Sequence, residues 1–330
     1  MIDTALVLAA GLGTRLAPLS ALRAKAALPV AGEALIRRQI RWLAAAGVIR
    51  VVVNLHHRAA TITDVLGHGD DLGVAISYSW EPVVLGSAGG PRRALELLAR
   101  DRFFIVNGDT LTDLDLTALA VEHAASGARV TMAASPEVPP GYNALLADET
   151  GRWYGVRRAG SVDELRSGHA AVHFVGIQVA DAAAFAGLPP ELKSETLRQL
   201  YPQLVHEDAG AVRVWTTAAT FRDVQTPADY LETARAVATA EGRPIDRGRQ
   251  VTIARSARIA QSILWDNVVV GEDVELVDCV VGDRAQVPDG LRARAASIVP
   301  IAAGHAAGPG DLVVGRVVVV PFARTPAAAG

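Results

Sequence analysis

The chain has 330 residues, of which half are hydrophobic and a fifth are charged, and its net charge at pH 7 is −3. This composition excludes a disordered chain and argues against nucleic acid as a partner, because phosphate-backbone binding needs a clustered basic excess. The single cysteine, Cys279, excludes an intrachain disulfide and is expected to be a small core residue. No apolar run approaches the ~20 residues of a membrane span, and the start lacks the basic region of a signal peptide. We therefore expect a cytoplasmic protein that does not enter a membrane.

The first predicted element is an apolar strand that ends in a turn containing Gly11 and Gly13. Glycines let the backbone approach a ligand closely and adopt positive φ, and successive N–H groups in such a turn attract anions. Arg15 and Lys25 add two cations, a planar fork and a point charge. The turn is neither the dinucleotide fingerprint GxGxxG nor a Walker A loop. It predicts a phosphate-gripping loop, although similar turns also occur in α/β proteins that bind nothing there.

Helices and strands alternate in the next part of the chain. The pattern predicts helices and strands in turn over residues 33–47, 48–55, 59–67, 74–79, 91–100 and 103–106. This order implies a mostly parallel, three-layer sheet. Asp109 follows the last of these strands, and a carboxylate at the C-terminal tip of a buried strand is where open α/β sheets carry ligands. Asp113 and Asp115 are expected to start the following helix.

Four motifs, taken together, resemble those of the sugar-1-phosphate nucleotidyltransferases, including the mannose-1-phosphate guanylyltransferases and the N-acetylmuramate-1-phosphate uridylyltransferases. The first, LAAGLGTRLAPLSALRAKAALPV, is similar to GxGTRLxPLTxxxPKxxxPV, with Ala24 where proline is usual. The others are an acidic residue followed by LGSAG, a GD pair, and FRDVQTPADY, which is similar to W-x-D-I-G-T-P-x-D-Y with Gln225 in place of glycine. Their joint occurrence over residues 4–240 is far more specific than any one motif.

The resemblance implies a Rossmann-like α/β domain with a three-layer, mostly parallel mixed sheet over residues 1–242. Beyond Gly242, residues 251–300 show short valine- and isoleucine-centred segments at about six-residue spacing, a periodicity that marks a β-helix. The family often carries a left-handed β-helix here, so residues 243–330 are expected to form two to three such coils. The open ends of a short solenoid predict homodimerisation through this region, and the tail from Thr325 to Gly330 is expected to fray.

The reaction that the resemblance implies is NTP plus sugar 1-phosphate giving NDP-sugar and pyrophosphate. The implied catalytic residues are Arg15, Lys25 and Asp109, and Mg²⁺ is expected to be held by Asp109 and Asp223. The implied nucleotide-binding residues are Ala10, Gly11, Gly13, Thr14, Arg15, Glu81, Gly86, Ser87 and Ala88.

The nucleobase and the sugar are read from fewer residues. A carboxylate at Glu81 accepts from two adjacent N–H groups, which guanine offers and uracil does not; this favours GTP, with UTP next. The alternative is that Glu81 is a surface residue before a proline. The implied sugar-phosphate contacts are Asn143, Arg158 and Gly176. Asn143 replaces a glycine and either contacts a sugar hydroxyl or shapes the turn. The family often has Glu-Lys-Pro near Arg158, and the missing glutamate indicates a substrate other than an ordinary glucose-type sugar.

Two other classes of function are open at this point. A catalytically inactive regulatory or scaffold homologue would bind nucleotide or sugar nucleotide, but the joint presence of Arg15, Lys25, Asp109 and Asp223 argues against it. A dinucleotide-dependent oxidoreductase lacks the glycine fingerprint.

Overall fold

The computed structural model describes residues 2–161, 168–245 and 247–322. The strands of its first part are β1 (Thr4–Leu8), β2 (Pro29–Val30), β3 (Glu33–Ala34), β4 (Arg50–Leu55), β5 (Ala75–Trp80), β6 (Arg102–Asn107), β7 (Thr110–Thr112), β8 (Val130–Ser135), β9 (Ala144–Asp148), β10 (Trp153–Arg157), β11 (His169–Asp181), β12 (Val212–Thr216) and β13 (Phe221–Asp223). The C-terminal strands are β14 (Thr252–Ile253), β15 (Arg258–Ala260), β16 (Ile263–Leu264), β17 (Val269–Val270), β18 (Glu275–Val277), β19 (Val280–Val281), β20 (Gln286–Val287), β21 (Arg292–Arg294), β22 (Ala296–Pro300), β23 (Leu312–Val314) and β24 (Val317–Pro321).

The α-helices are α1 (Leu35–Ala45), α2 (Ala59–Leu66), α3 (Gly86–Leu98), α4 (Leu116–Ser126), α5 (Ala183–Ala186), α6 (Tyr201–Glu207) and α7 (Pro227–Ala240). Single 3₁₀ turns occur at Thr14–Leu16, Leu19–Ala21, Lys25–Ala27, Asp70–Leu72 and Ile301–Ala303, and a π-helical turn at Thr196–Leu200.

The chain folds as two compact units, each built from separate segments. The first unit comprises Met1–Gly11, Arg37–His56 and Leu66–Arg222, and the second comprises Leu12–Ile36, His57–Val65 and Asp223–Gly330. Residues 12–36, which carry the predicted phosphate loop, therefore group with the C-terminal strands. The predicted domain boundary after residue 242 stays a prediction.

The first unit is built on a nine-stranded mixed sheet in the order β10-β9-β11-β6-β1-β4-β5, with β8 on β11 and β12 on β8. Strands β6, β1, β4 and β5 run parallel, whereas β11 runs antiparallel to β6, β8 and β9. Strand β4 is buried along nearly its whole length, as expected for a β-branched run covered on both faces. The predicted mixed α/β sheet is confirmed, but the sheet is not mostly parallel. The antiparallel strand β11, which pairs with β6, β8 and β9, and the antiparallel pair β9–β10 balance the parallel pairs β1–β4, β1–β6, β4–β5 and β8–β12.

Helix α3 begins earlier than the sequence indicates. The prediction starts it at residue 91, but the helix begins at Gly86 and contains Pro91. The carbonyl oxygen of Ser194 accepts hydrogen bonds from the N–H groups of Ala88 (2.9 Å) and Gly89 (3.2 Å). These bonds satisfy first-turn donors that have no partner within the helix, so the glycine-rich segment is helical rather than a preceding loop.

The C-terminal part of the second unit is a stack of short parallel coils, called here the solenoid (residues 251–300). Its strands form three parallel ladders: β14-β17-β20, β15-β18-β21 and β16-β19-β22. Buried valines and leucines fill its interior together with Cys279, as predicted, and burial raises the pKa of that thiol. Strand β24 then adds antiparallel to β22 and β23. The tail expected to fray, Thr325 to Gly330, lies outside the described residues.

No helix within the part of the chain that the structure describes is long and apolar enough to cross a membrane.

Candidate active site

The predicted phosphate loop begins with two glycines that differ in backbone conformation. Gly13 has φ 61°, and a Cβ built there would lie 3.3 Å from Cβ of Ser20, so both backbone freedom and close packing require glycine. Gly11 does not have a positive φ, in disagreement with the expectation for both glycines. A Cβ built on Gly11 would meet no atom within 4 Å. Thr14 opens a 3₁₀ turn that also contains Arg15.

The structure brings three of the predicted site residues of the second unit together. Arg15 Nη1 donates to Oε1 of Gln225, whose Nε2 donates to Oδ2 of Asp223. On the other side, Lys25 Nζ lies 3.8 Å from Oδ1 of Asp223. Arg15, Gln225, Asp223 and Lys25 thus form a connected polar chain, called here the Arg15–Lys25 chain. Two cations held beside one carboxylate are suited to bind a phosphate that carries a metal ion.

Gln225 belongs to the Arg15–Lys25 chain, and the sequence reasoning missed its role. In the sequence it only replaces a glycine that is usual in the family, whereas in the structure its amide links Arg15 to Asp223. A polar residue at a position usually occupied by glycine was the available signal.

Helix α7 fixes the backbone beside Asp223. Thr226 caps the helix by accepting from the N–H of Asp229 (3.2 Å), and Asp229 accepts from the N–H of Thr226 (2.8 Å). In this capping box Asp229 is a charge in the first turn of the helix. Because the cap begins three residues after Asp223, it orients the segment that carries Asp223 and Gln225.

Asp109 lies in the first unit, in the turn directly after β6, and is half-buried. Gly108 allows this turn to pass close to β1: its N–H donates to the carbonyl of Leu8 (2.9 Å), and a Cβ built on it would lie only 2.7 Å from that oxygen. The side-chain amide of Gln39 donates to the carbonyls of Asn107 and Thr110, both at 2.7 Å. The turn carrying Asp109 is therefore held from both sides.

The two neighbouring aspartates have separate structural roles. Asp115 caps α4 by accepting from the N–H groups of Thr117 (2.8 Å) and Ala118 (3.1 Å), as predicted. Asp113 does not cap the helix; its carboxylate accepts from the N–H (2.7 Å) and the hydroxyl (2.9 Å) of Thr220.

Gly176 occupies a bulge of β11 and packs against the strand that precedes Asp109. Its φ is 81°, and a Cβ built there would lie 2.8 Å from Nδ2 of Asn107. The pairing register of β11 with β8 shifts between Phe174 and Gln178. A side chain at residue 176 would therefore displace Asn107, two residues before Asp109.

Asn143 and Arg158 lie on adjacent segments of the first unit. Oδ1 of Asn143 accepts from the N–H of Ala159 at 2.9 Å, so this amide shapes the turn, which is one of the two roles expected for it. Arg158 follows the end of β10 and is exposed. Their contact with a sugar phosphate stays a prediction.

Glu81 is closed off from solvent. Its side chain is 0% exposed; Oε1 accepts from Nδ2 of Asn54 (2.7 Å) and Oε2 from the N–H of Leu85 (2.8 Å). Burial raises the pKa of this carboxyl. The geometry disagrees both with a carboxylate that reads a nucleobase edge and with a surface residue. It removes the support that Glu81 gave to GTP.

Asn54 is a second residue that the sequence reasoning missed. Its Oδ1 accepts from the N–H groups of Ala9 (2.5 Å) and Ala10 (3.2 Å), where the glycine turn begins. Because its amide donates to Glu81, the buried carboxylate fixes which way Asn54 points. Glu81 thus orients Ala10 indirectly. An asparagine near the end of a hydrophobic strand was the signal for it.

Asn54→Asp is expected to make the fold sensitive to pH. The substitution places a second carboxylate against Glu81, and like charges raise the pKa of one of the pair. At pH 8 the folded state must then hold a proton that the unfolded state has released, so stability is lost as pH rises and regained as it falls. We expect Tm to drop by roughly 5–10 °C at pH 8 and by clearly less at pH 5.

The matched control for this charge change is Asn267→Asp, at an exposed position of the solenoid. It should leave Tm nearly unchanged at both values of pH. Equal Tm losses at pH 5 and pH 8 for Asn54→Asp would contradict the buried pairing with Glu81.

Backbone N–H groups at the start of α3 donate hydrogen bonds to acceptors of the protein itself. The hydroxyl of Ser87 donates to Oε2 of Glu195 (2.9 Å) and also accepts from the N–H of Thr196 (2.9 Å). The N–H of Ser87 lies 3.4 Å from the same Glu195 oxygen, and that of Ala88 binds the Ser194 carbonyl. Nucleotide binding by Gly86, Ser87 and Ala88 stays a prediction.

Among residues 2–161, 168–245 and 247–322, no group of three or more histidine, cysteine, aspartate or glutamate side chains is arranged to hold a metal ion. Mg²⁺ is usually bound through one or two carboxylates, waters and substrate phosphates rather than by an all-protein cage. Asp109 and Asp223 provide the donor type that Mg²⁺ prefers.

The chain was compared with known proteins. Residues 4–152 match the sequence model of the family described as Nucleotidyl transferase. The chain is 26% identical over 303 residues to a mannose-1-phosphate guanylyltransferase of Mycobacterium tuberculosis, covering 89% of this chain and 82% of that protein. It is 45% identical over 115 residues to an N-acetylmuramate alpha-1-phosphate uridylyltransferase of Neisseria meningitidis, covering 34% of this chain and half of that relative.

Solved structures agree on the fold. The structure of HddC from Yersinia pseudotuberculosis superimposes with a TM-score of 0.61 at 21% identity, covering 72% of this chain and 100% of that chain. These matches and the site define the class: the protein is an enzyme of the nucleotidyltransferase type, EC 2.7.7. Within that class, the named relatives to which the chain is similar are sugar-1-phosphate nucleotidyltransferases.

Proposed function

We propose that this enzyme transfers a nucleoside monophosphate from GTP, or next from UTP, to a sugar 1-phosphate and releases pyrophosphate. The Arg15–Lys25 chain carries this proposal, because it holds a guanidinium and an ammonium beside one carboxylate. Two polyanionic substrates repel each other, so catalysis rests on positioning and on charge neutralisation.

Each cation has a distinct task in this proposal. The planar fork of Arg15 binds the β- and γ-phosphates and the departing pyrophosphate, because a guanidinium matches two phosphate oxygens at once. Lys25 places a point charge at the reacting phosphate, where negative charge accumulates as the bond to pyrophosphate breaks. The attacking sugar phosphate is already ionised, so no general base is required.

We propose Asp109 and Asp223 as the carboxylate ligands of Mg²⁺. When bound, the ion neutralises the triphosphate and polarises the phosphorus under attack. The turn of Asp109 is held by Gln39, and Asp223 is oriented by Gln225 and the cap of α7. The backbone that carries Asp109 and the carboxylate of Asp223 are therefore both held by other residues of the protein.

The preference for GTP rests on relatives. The relative that aligns with 89% of this chain is named a guanylyltransferase, as are several fungal relatives that are 33–35% identical over shorter segments. UTP ranks next because two other relatives are uridylyltransferases. The sugars in the names of these relatives are mannose, N-acetylmuramate and glucose, which defines the acceptors to test.

The test is a matrix of four NTPs against the 1-phosphates of mannose, glucose and N-acetylmuramate, with pyrophosphate release as readout. We expect the highest kcat/KM with GTP or UTP and one of these acceptors, and no release without Mg²⁺. Absence of release for every pair would contradict the proposal and favour an inactive homologue that only binds nucleotides.

We further propose that the enzyme works in the cytoplasm, that the solenoid coils are left-handed, and that two copies associate through the C-terminal region. Exposed apolar side chains at the end of the solenoid support the association, namely Ile301, Leu312 and Val313. Light scattering at micromolar concentration should report a dimer, and a monomer would contradict it; a crystal structure would test the hand of the coils.

A further inference from the structure

The loop that carries Arg15 and Lys25 is attached to the solenoid through Arg23. The Arg23 guanidinium binds Asp283 with two hydrogen bonds, Nε to Oδ2 at 2.7 Å and Nη2 to Oδ1 at 2.6 Å. Nη2 also donates to Oδ2 of Asp266 at 3.0 Å. All three residues belong to the second unit. Two parallel bonds to one carboxylate fix both the position and the orientation of a guanidinium.

Aromatic residues extend this attachment. The Arg23 guanidinium lies 5.2 Å from the ring centre of Trp265, a cation–π contact. Nε1 of the fully buried Trp265 donates to the hydroxyl of Tyr230 (3.1 Å), which donates to the carbonyl of Pro29 (2.5 Å). The loop is therefore held at Arg23 and again at Pro29, on either side of Lys25.

The neighbouring residue of the loop also packs on the solenoid. A Cβ built on Gly282 would lie 2.4 Å from Cδ1 of Leu22. The side chain of Leu22 therefore packs against the solenoid at Gly282, where a larger residue would collide with it.

The loop depends on these contacts because its own structure is weak. Its three 3₁₀ turns, Thr14–Leu16, Leu19–Ala21 and Lys25–Ala27, each lack a side-chain cap, and single 3₁₀ turns have poor hydrogen-bond geometry. Arg23 is only 17% exposed. Burial alone would raise the pKa of Asp266, but the Arg249 N–H and the Arg23 guanidinium hold that pKa below its usual range. The ion pair between Arg23 and Asp266 is therefore charged, and because it is mostly buried its attraction is little screened by salt.

We propose that Arg23 is a positioning residue, through which Asp266 and Asp283 of the solenoid hold the phosphate loop in its nucleotide-binding conformation. The inference rests on the proposed function for its kinetic consequence alone. It gives the solenoid a role in the active site, because the turns after β16 and β19 carry Asp266 and Asp283 and so support the loop that contains Lys25. A loop that populates the competent conformation for a fraction of the time binds its ligand more weakly by that fraction.

The kinetic test uses Arg23→Gln, Asp283→Asn and the double variant. We expect each to raise KM for the NTP by about tenfold or more, with KM for the sugar 1-phosphate changed less than about twofold. The effects should not add in the double variant, because both substitutions remove one interaction. Arg23→Lys should recover part of the loss. Arg292→Gln, at an exposed solenoid arginine outside the attachment, should behave as wild type.

A second readout does not need activity. Amide hydrogen exchange should show faster exchange in residues 12–30 of Arg23→Gln, with β4 and β6 unchanged. Unchanged exchange of residues 12–30, or equal rises in both KM values, would overturn the positioning role. If the wild type turns over no substrate pair, the proposed function fails, while exchange still decides whether Arg23 holds the loop.

Discussion

The Asp109→Asn variant is expected to lose at least ~10²-fold in kcat while keeping its fold. The asparagine has nearly the same shape but no negative charge, so it binds a divalent cation weakly. The turn around residue 109 is held by Gln39 and by the Gly108–Leu8 hydrogen bond, neither of which involves the carboxylate. The loss should therefore appear in turnover and not in Tm. Pyrophosphate release and thermal unfolding measure the two effects separately.

Asp115→Asn is the matched control, since it makes the same chemical change six residues further on. Asp115 caps α4, and asparagine is an equally good cap, so neither Tm nor kcat should change appreciably. Near-normal turnover in Asp109→Asn would remove Asp109 from its proposed role. Raising the Mg²⁺ concentration should recover part of the lost rate if the weakened ligand is the cause.

Elements with a strong local pattern were predicted well from the sequence. The hydrophobic run of β4 and the six-residue spacing of the solenoid each follow from residue order alone. The start of α3 could not be predicted in this way. Its first turn is stabilised by Ser194 and Glu195, about a hundred residues away in the chain, and no local preference of glycine indicates a helix.

The candidate site shows the same division. The motif spacing indicated Arg15, Lys25 and Asp223 as site residues, and in the structure they are connected through Gln225 and an ion pair. The burial of Glu81 could not be predicted, because a carboxylate before proline usually lies on the surface; its partners are Asn54, on another strand, and the N–H of Leu85. The role of Arg23 could not be predicted either, because its partners Asp266 and Asp283 lie more than two hundred residues later in the sequence.

Lys25→Met is expected to reduce kcat/KM by at least ~10²-fold, with most of the loss in kcat. The side chain keeps its length but loses the charge that lies 3.8 Å from Asp223. A compact, mobile point charge follows a phosphate as its bonds change, whereas a guanidinium is fixed by its plane.

Two further variants separate charge from shape at this position. Lys25→Arg keeps the charge and should retain more kcat than Lys25→Met, yet less than wild type, because its fork does not fit a point-charge site. Lys193→Met makes the same chemical change at an exposed residue and should leave the kinetics unchanged. Single-turnover rates with bound nucleotide decide the matter, since they report the chemical step apart from binding. If Lys25→Met raised KM alone and left that rate intact, Lys25 would bind the triphosphate without stabilising the transition state.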